Sequence, residues 1–284
     1  MSEIAIIGAG AWGTGLSIVL GRRGAHRVRL WAHEQKVYEG IARGRVNQKF
    51  LPGHRIPDTV TPTNRLAEAL DGAEILVSVM PSQHCRRIFE QIRPHLRPET
   101  IIVSATKGLE ESSLERMTEV IIDVLEADAG WTPRIAALSG PSFALEVARG
   151  DPTAVTVAST DPELGQLVQR EFSDPNFRIY TNEDVIGVEL GGALKNIVAI
   201  AAGICDGLGL GHNSIAALIT RGLAEMTRLV VACGGRAETM AGLAGLGDLV
   251  LTCTGGLSRN RGVGVELGRA RKLPEIIEIG RAHV

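Results

Sequence analysis

The 284-residue sequence has little cysteine, few aromatic residues and almost no net charge. Its four cysteines are far apart and form no CxxC pair. This spacing argues against a disulfide framework or a metal site and predicts reduced thiols in a cytoplasmic protein. An aromatic content of 4% disfavours a base-stacking surface, and a net charge of −2 offers no basic field. We therefore expect no nucleic-acid partner, and any anion site must be local.

Long apolar runs and a basic leader are also lacking. No uncharged apolar run reaches the ~18 residues that a membrane span needs, and MSEIAIIGAG has no basic n-region. We expect neither a membrane span nor a secretory signal. Apolar residues make up 44% of the chain and charged residues 22%, which is typical of a globular protein with a substantial core.

Short aliphatic runs alternate with amphipathic stretches up to about Tyr180. The runs are EIAII, RVRLW, AEILVSV, TIIVSAT and RIAALS. Such alternation predicts βαβ crossovers and a mostly parallel sheet. After Asn182 only helical patterns with glycine-rich turns follow. We therefore expect an α/β fold, with a Rossmann-like dinucleotide-binding domain at 1–182 and an α-helical substrate and catalytic domain at 183–284.

Gly8, Gly10 and Gly13 have the G-x-G-x-x-G spacing directly after the first strand. In this context the motif predicts a dinucleotide site. The first glycine permits the tight turn, the second lets a pyrophosphate approach the backbone, and the third allows close packing of helix on strand. A glycine-rich turn that binds nothing is the less favoured alternative.

The residues after RVRLW bear on the choice between NAD and NADP. An acid at the end of this strand would bind the ribose hydroxyls of NAD, but Ala32 occupies the expected position and Glu34 comes slightly late. Arg43, Arg45 and Lys49 are candidates for a 2′-phosphate or form a solvated basic face. The sequence leaves both coenzymes open.

Lys195 is the only basic residue of GGALKNIVAIAAGICDGLGLGHN before His212. On a helix it is surrounded by small residues, namely Gly191, Gly192, Ala199 and Ala202. Two alternatives are balanced: a slot open to a ligand, or close helix packing with the lysine paired to a buried acid. We expect an aliphatic stripe of the same helix to face the core, formed by Leu194, Ile197, Val198, Ala201 and Cys205.

Polar residues at predicted turns and helix starts add to the first hypothesis. Lys107 follows a predicted parallel strand, and Ser139, Gly140 and Ser142 follow the next one, where ligands of α/β sheets bind. Asp248 lies in an apolar segment. Ser258 is a predicted N-cap with Arg259 and Asn260 in the first turn, a good phosphate site. Each of these residues alone is equally compatible with capping, pairing or solvation.

Taken in order, these motifs resemble the bacterial-type NAD(P)-dependent glycerol-3-phosphate dehydrogenases. The similarity runs through GAGAWGTGL, NQKFLPG, ATKGLE, SGPSFALEVARGDPTA, GVELGGALKNIVAIAAGICDGLGLGHN, LITRGLAEM and GLAGLGDLVLTCTGGLSRNRG. It implies reversible hydride transfer between NAD(P)H and dihydroxyacetone phosphate. The product is sn-glycerol 3-phosphate for glycerophospholipid synthesis, and the assembly is compatible with a homodimer.

By this resemblance Lys195 is the catalytic lysine. The implied substrate contacts are Lys107, Gly140, Ser142, Lys195, Asp248, Ser258, Arg259 and Asn260. The implied cofactor contacts are Gly8, Gly10, Ala11, Trp12, Gly13, His33, Lys107, Ala144 and Arg259, with no metal. Ala11 departs from the serine common in the family, and Gly15 departs from a common alanine, with little effect expected beyond helix propensity.

Two functional alternatives stay open: a dehydrogenase of a related 3-hydroxyacid or sugar acid, and a non-catalytic NAD(H)-binding sensor. The resemblance ends after RKLPEII. We expect Glu278–Val284 (EIGRAHV) to be a sequencing-adapter artefact that truncates the helical domain and leaves the chain poorly soluble or nearly inactive. A short, divergent C-terminus is the alternative.

Overall fold

The computed structural model describes residues 1–129 and 131–276 and divides into two units. The first comprises Met1–Leu138 and Ala144–Glu183, and the second comprises Ser139–Phe143 and the chain from Asp184 onward. The segment Glu278–Val284 lies outside the described residues, so the expectation of an artefact there stays a prediction.

An eight-stranded sheet forms the centre of the first unit. Its strands are β1 (Ser2–Ile7), β2 (His26–Trp31), β5 (Val60–Thr63), β6 (Ile75–Ser78), β7 (Ile101–Ser104), β8 (Ile135–Ser139), β9 (Thr153–Ala158) and β10 (Phe177–Asn182). Their spatial order is β10-β9-β8-β7-β6-β1-β2-β5. The pairs β1–β2, β1–β6, β2–β5, β6–β7, β7–β8 and β9–β10 are all parallel. Two short strands, β3 (Val46–Asn47) and β4 (Leu51–Arg55), form a separate antiparallel hairpin.

Helices connect the strands and cover the sheet. They are α1 (Ala11–Arg22), α2 (Gln35–Gly44), α3 (Leu66–Leu70), α4 (Cys85–Ile92), α5 (Met117–Ala129), α6 (Ala144–Arg149) and α7 (Pro162–Phe172). Alternate residues of β1 enter different cores: Ile4 and Ile6 belong to one buried cluster, Ala5 and Ile7 to another. A strand buried on both faces reads as a continuous aliphatic run, which is why these strands were recognisable in the sequence.

The second unit is helical. Its helices are α8 (Val185–Gly207), α9 (His212–Ala232), α10 (Ala237–Met240), α11 (Asp248–Thr254) and α12 (Arg259–Gly268). Asp184 caps α8 by accepting a hydrogen bond from N of Gly187, and its other carboxylate oxygen accepts one from N of Arg236, each at 2.8 Å. This carboxylate therefore fixes the start of α8 against the loop before α10.

The prediction of an aliphatic core stripe on α8 is wrong. Ile197 is 68% exposed, and Leu194, Val198, Ala201 and Cys205 are only half-buried. Small residues bury the opposite face instead, because they allow backbones to touch. A Cβ on Gly203 would lie 2.1 Å from the carbonyl oxygen of Arg261, and one on Gly207 2.3 Å from that of Val265. Helix α12 thus packs on glycines, which an aliphatic-stripe argument overlooks.

The predicted fold class, a Rossmann-like parallel α/β domain followed by a helical domain, is confirmed. All five predicted strands are present as β1, β2, β6, β7 and β8, whereas β3, β4, β5, β9 and β10 were not predicted individually. In the described part of the chain, α8 is long and apolar enough to cross a membrane, with a mean hydropathy of 1.6, but 56% of that window is buried inside the protein. The bent pair Ala237–Thr254 and Arg259–Gly268 qualifies only when taken as one span.

Candidate active site

In the turn between β1 and α1, Gly8 and Gly13 are closely surrounded by backbone, whereas Gly10 has open space beside it. Gly8 has φ +126°, and a Cβ there would lie 2.0 Å from the carbonyl oxygen of Val79; a Cβ on Gly13 would lie 1.9 Å from that of Gly8. Both positions therefore require glycine. Around Gly10, by contrast, a Cβ would meet nothing within 4 Å. The space above Gly10 is where a pyrophosphate approaches this type of turn.

The start of α1 fits a dinucleotide phosphate. Its N-cap is Gly10, which makes no side-chain capping bond, so the first backbone N–H groups, on Ala11, Trp12 and Gly13, point along the helix axis without a side-chain acceptor. Ala11 adds no hydroxyl. The ring of Trp12 packs 6.3 Å from that of Phe177, so this residue contributes its backbone to the turn while its side chain stabilises the unit. Ala144 begins α6, whose backbone packs on α1 at Gly15.

Lys107 follows a turn that is hydrogen-bonded to the end of β6. Val79, which Gly8 contacts, is followed by Met80, whose backbone N donates to Oγ1 of Thr106 at 3.2 Å. Thr106 Oγ1 also donates to the carbonyl oxygen of Ser78 at 3.2 Å. Lys107 comes directly after this bridge and is half-buried. The carboxyl ends of β1, β6 and β7 are thus linked through Val79 and Thr106, and Lys107 follows the last of these links in the chain.

His33 and Glu34 lie just beyond the end of β2. The ring of His33 packs 5.6 Å from that of Trp31. Glu34 occupies the N-cap position of α2, and both of its carboxylate oxygens accept from Nζ of Lys49 at 2.9 Å. Ala32, in the position where an acid was expected, is buried and donates its N–H to the carbonyl oxygen of Thr63.

In the second unit Lys195 is buried and paired. Its Nζ donates to Oδ1 of Asp248 at 2.6 Å and to Oγ1 of Thr252 at 3.0 Å; the three residues are 7%, 1% and 5% exposed, respectively. Close packing makes this pair reachable, because a Cβ on Gly191 would lie 2.6 Å from the carbonyl oxygen of Ala244, in the turn before α11. Of the two alternatives for the surroundings of Lys195, the structure shows close helix packing with the lysine paired to a buried acid.

Thr252 was missed by the sequence reasoning. It follows Asp248 by four residues and so shares its helix face, which was the available signal. Its Oγ1 donates to the carbonyl oxygen of Asp248 at 2.6 Å, so its lone pairs are left to face Lys195. The next residue, Cys253, is fully buried; burial raises the pKa of its thiol to about 11, while the charge of Lys195 acts in the opposite direction.

The remaining polar residues of this unit surround α11. Gly140 has φ +139°, and its carbonyl oxygen accepts from Oγ of Ser142 at 3.0 Å. The same segment packs on both ends of α11: a Cβ on Gly247 would lie 3.6 Å from Cγ of Pro141, and one on Gly255 2.5 Å from the ring of Phe143. Gly140 and Ser142 therefore lie beside the helix that carries Asp248.

The predicted N-cap of α12 is present. Ser258 Oγ accepts from N of Arg261 at 3.2 Å, while Arg259, exposed, and Asn260, half-buried, form the first turn. Arg261 is engaged elsewhere, with Asp206 at 2.7 Å. The start of α12 thus offers backbone and side-chain donors of the kind that bind phosphate.

The implied residues divide between the two units. The first holds Gly8, Gly10, Ala11, Trp12, Gly13, His33, Lys107 and Ala144, and the second holds Gly140, Ser142, Lys195, Asp248, Ser258, Arg259 and Asn260. Across residues 1–129 and 131–276, no group of three histidine, cysteine or acidic side chains is arranged to hold a metal ion.

Comparison with known proteins gives one consistent result. Residues 3–165 match a family described as "NAD-dependent glycerol-3-phosphate dehydrogenase N-terminus", and residues 184–284 match the corresponding C-terminal family. A glycerol-3-phosphate dehydrogenase [NAD(P)+] of Koribacter versatilis is 67% identical over 277 residues, covering 98% of this chain and 82% of the relative. One from Geobacter sulfurreducens is 54% identical over 278 residues, with the same coverage.

Solved structures agree. The crystal structure of glycerol-3-phosphate dehydrogenase from Coxiella burnetii superimposes with a TM-score of 0.93 at 44% identity, covering 98% of this chain and 83% of that one. The yeast enzyme gives a TM-score of 0.80 at 29% identity, covering 97% and 83%.

Proposed function

This chain belongs to the NAD-dependent glycerol-3-phosphate dehydrogenase family, and from that premise we propose how its residues divide the reaction among themselves. It is an NAD(P)-dependent oxidoreductase that interconverts dihydroxyacetone phosphate and sn-glycerol 3-phosphate. NAD(P)H, when bound, supplies the hydride. We infer that the product feeds glycerophospholipid synthesis in the cytoplasm.

The first unit binds the dinucleotide. Gly8 and Gly13 shape the turn, Gly10 leaves room for the pyrophosphate, and the N–H groups of Ala11 and Trp12 donate to it. His33 contacts the adenosine side, Ala144 lies at the start of α6 beside α1, and Lys107 contributes a positive charge. The support for this assignment is the open backbone at Gly10 between two positions that exclude any side chain.

The second unit provides the acid. Lys195 donates a proton to the alkoxide that develops on the keto oxygen, and removes it in the reverse direction. Asp248 and Thr252 hold the ammonium in one place, since both accept from Nζ. A fixed donor aimed at developing charge lowers the barrier without reorganisation at the moment of reaction.

The substrate phosphate is bound at the start of α12. Ser258, Arg259 and Asn260 supply the donors there. Gly140 and Ser142 contact the substrate beside α11. A dianion gains most from a helix N-terminus combined with a guanidinium.

The buried ion pair between Lys195 and Asp248 carries this proposal, and replacing the lysine tests it. We expect Lys195→Met to lower turnover of dihydroxyacetone phosphate ~10²- to 10⁴-fold, the usual effect of losing one acid–base group, while dinucleotide binding is retained. Lys36→Met, an exposed lysine on α2, serves as the matched control. Unchanged turnover in Lys195→Met would remove the assigned role.

The same assay with a panel of keto acids tests the two functional alternatives. A 3-hydroxyacid dehydrogenase would turn over a keto acid faster than dihydroxyacetone phosphate, and a sensor would bind dinucleotide without turnover.

We also propose a homodimer, supported by large apolar side chains exposed on the helical unit, among them Ile197 at 68%, Leu229 at 47% and Val231 at 50%. Light scattering of the purified chain measures the subunit number.

A further inference from the structure

The ion pair between Glu34 and Lys49 lies at the place where Rossmann folds distinguish NAD from NADP. Strand β2 runs beside β1, and the backbone N of Gly8 donates to the carbonyl oxygen of Trp31, the last residue of β2, at 3.3 Å. Glu34 follows three residues later. An acid in this region binds the ribose hydroxyls of NAD, whereas a cation there accommodates the 2′-phosphate of NADP. This chain has one of each.

Lys49 is anchored to the dinucleotide turn through its own loop. Asn47, two residues before it, is 1% exposed. Its Nδ2 donates to the carbonyl oxygen of Ala9 and to Oγ1 of Thr14, each at 2.8 Å, and its Oδ1 accepts from N of Phe50 at 3.2 Å. The hairpin loop between β3 and β4 is therefore fixed to the turn that binds pyrophosphate. Lys49 Nζ lies 4.9 Å from the ring centroid of Phe50.

The other two cations considered for a 2′-phosphate are placed differently. The guanidinium of Arg45 donates to the carbonyl oxygens of Ile56, in the β4–β5 loop, at 3.3 Å and of Val60, the first residue of β5, at 2.9 Å. Arg43 lies in the last turn of α2, nine residues from Glu34 and so about 14 Å further along the helix axis. Lys49 alone of the three pairs with the carboxylate.

The pair is exposed enough to exchange partners. The side chain of Lys49 is 35% exposed and that of Glu34 is 44% exposed, and ion pairs at such positions contribute little to folding stability. A dianionic 2′-phosphate would attract Lys49 more strongly than a carboxylate does. A ribose hydroxyl can donate to Glu34 while the lysine stays paired, because a carboxylate has about four acceptor sites.

We propose that Glu34 and Lys49 form a coenzyme-selecting pair: Lys49 binds the 2′-phosphate of NADP(H), and Glu34 accepts the ribose hydroxyls of NAD(H). Because each charge neutralises the other, neither coenzyme is excluded, and the chain uses both. This inference rests on the proposed function insofar as the dinucleotide is a coenzyme of the reaction, but it concerns only binding.

Titration calorimetry of the purified chain with NAD⁺ and NADP⁺ tests the pair without any turnover. We expect Lys49→Met to shift the ratio of the two dissociation constants toward NAD⁺ by ~10- to 100-fold, since it removes a charge-assisted bond and leaves Glu34 to repel the phosphate. Glu34→Gln should shift the ratio toward NADP⁺. Arg43→Met is the matched control and should leave the ratio unchanged.

A ratio within twofold of the wild-type value in both Lys49→Met and Glu34→Gln would overturn the proposal. Failure of the proposed function is a separate result: wild-type chain that binds dinucleotide but does not reduce dihydroxyacetone phosphate would overturn the reaction, while the ratio would still decide the role of the pair. 2′,5′-ADP and 5′-AMP, titrated in the same way, check that the 2′-phosphate alone accounts for the shift.

Discussion

Thr252 accepts a hydrogen bond from Nζ of Lys195 at 3.0 Å. It can do so reliably because its own proton is donated to the carbonyl oxygen one helical turn earlier, at 2.6 Å. The geometry of a single α-helix therefore determines which way a hydroxyl presents its lone pairs to a buried ammonium.

Removing that hydroxyl should impair turnover more than binding. We expect Thr252→Val to lower kcat ~10-fold or more, in line with the ~1.5–3 kcal/mol of a hydrogen bond to a charged group, with KM little changed. Thr252→Ser keeps the hydroxyl and should restore most of kcat. Steady-state kinetics of both variants make the measurement. An equal loss of kcat in Thr252→Val and Thr252→Ser would contradict a role specific to the hydroxyl, because serine keeps it.

The ion pair between Lys195 and Asp248 should show strong energetic coupling. Removing one partner leaves a buried, uncompensated charge, so we expect Asp248→Leu alone to lower the free energy of unfolding by ~3–5 kcal/mol. The double variant Lys195→Met with Asp248→Leu replaces both charges by apolar groups and should be more stable than that single variant. Urea denaturation of the wild type, both single variants and the double variant completes the cycle. Additive losses would contradict the coupling.

Much of the local structure around the candidate site was predictable from the sequence, for identifiable reasons. The parallel strands and the turn at Gly8–Gly13 were found because a buried strand followed by glycines at fixed spacing is a local pattern. Ser258 as an N-cap was found for the same reason, since the cap acts on residues within one turn. Lys107 does follow the carboxyl end of a parallel strand, β7, as predicted, and its role there stays a prediction.

What was missed depends on contacts between distant segments. Asn47 reaches the carbonyl oxygen of Ala9, 38 residues away in sequence, and no local pattern marks it. The face of α8 that is buried was assigned incorrectly, because hydrophobicity ranks Ile197 above Gly203. The packing depends instead on how closely α12 approaches, and only glycine permits that approach.

The ion pairs of Arg86 on α4 with the loop after Lys107 should make the folding stability of the protein depend on pH in the acid range. Its guanidinium binds Glu110 through Nε at 2.9 Å and Glu115 through a terminal nitrogen at 3.0 Å, and it also contacts Asp123. The hydrogen bond from Arg86 holds the pKa of Glu110 below its ordinary value of 4.5. A depressed carboxyl pKa contributes stability that is complete above the unfolded-state pKa and is lost as pH falls through the folded-state pKa.

We therefore expect Arg86→Met to lower Tm at about pH 6 and to differ less and less from the wild type as pH falls below 4.5 and through the lowered pKa of Glu110. Thermal melts across this range make the comparison. Arg87→Met, the exposed neighbour, is the control. A Tm difference that is constant across the range would mean that the ion pair with Glu110 does not account for the effect of Arg86.

Gly15 offers a stabilising substitution inside the cofactor helix. It lies in the interior of α1, where glycine is unfavourable relative to alanine by ~0.5–1 kcal/mol. A Cβ there would lie 3.4 Å from the carbonyl oxygen of Ala144 and 3.7 Å from its Cβ, which are ordinary contact distances. Gly15→Ala should therefore raise the free energy of unfolding by ~0.4–1 kcal/mol and leave dinucleotide binding unchanged.

Gly13→Ala, two residues earlier, is the matched contrast. Its Cβ would lie 1.9 Å from the carbonyl oxygen of Gly8, so the turn must shift, and both stability and dinucleotide binding should fall. Chemical denaturation and calorimetry of the two variants distinguish helix propensity from packing, since propensity alone would make both alanines stabilising. A destabilised Gly15→Ala would show that α6 approaches α1 too closely for a methyl group.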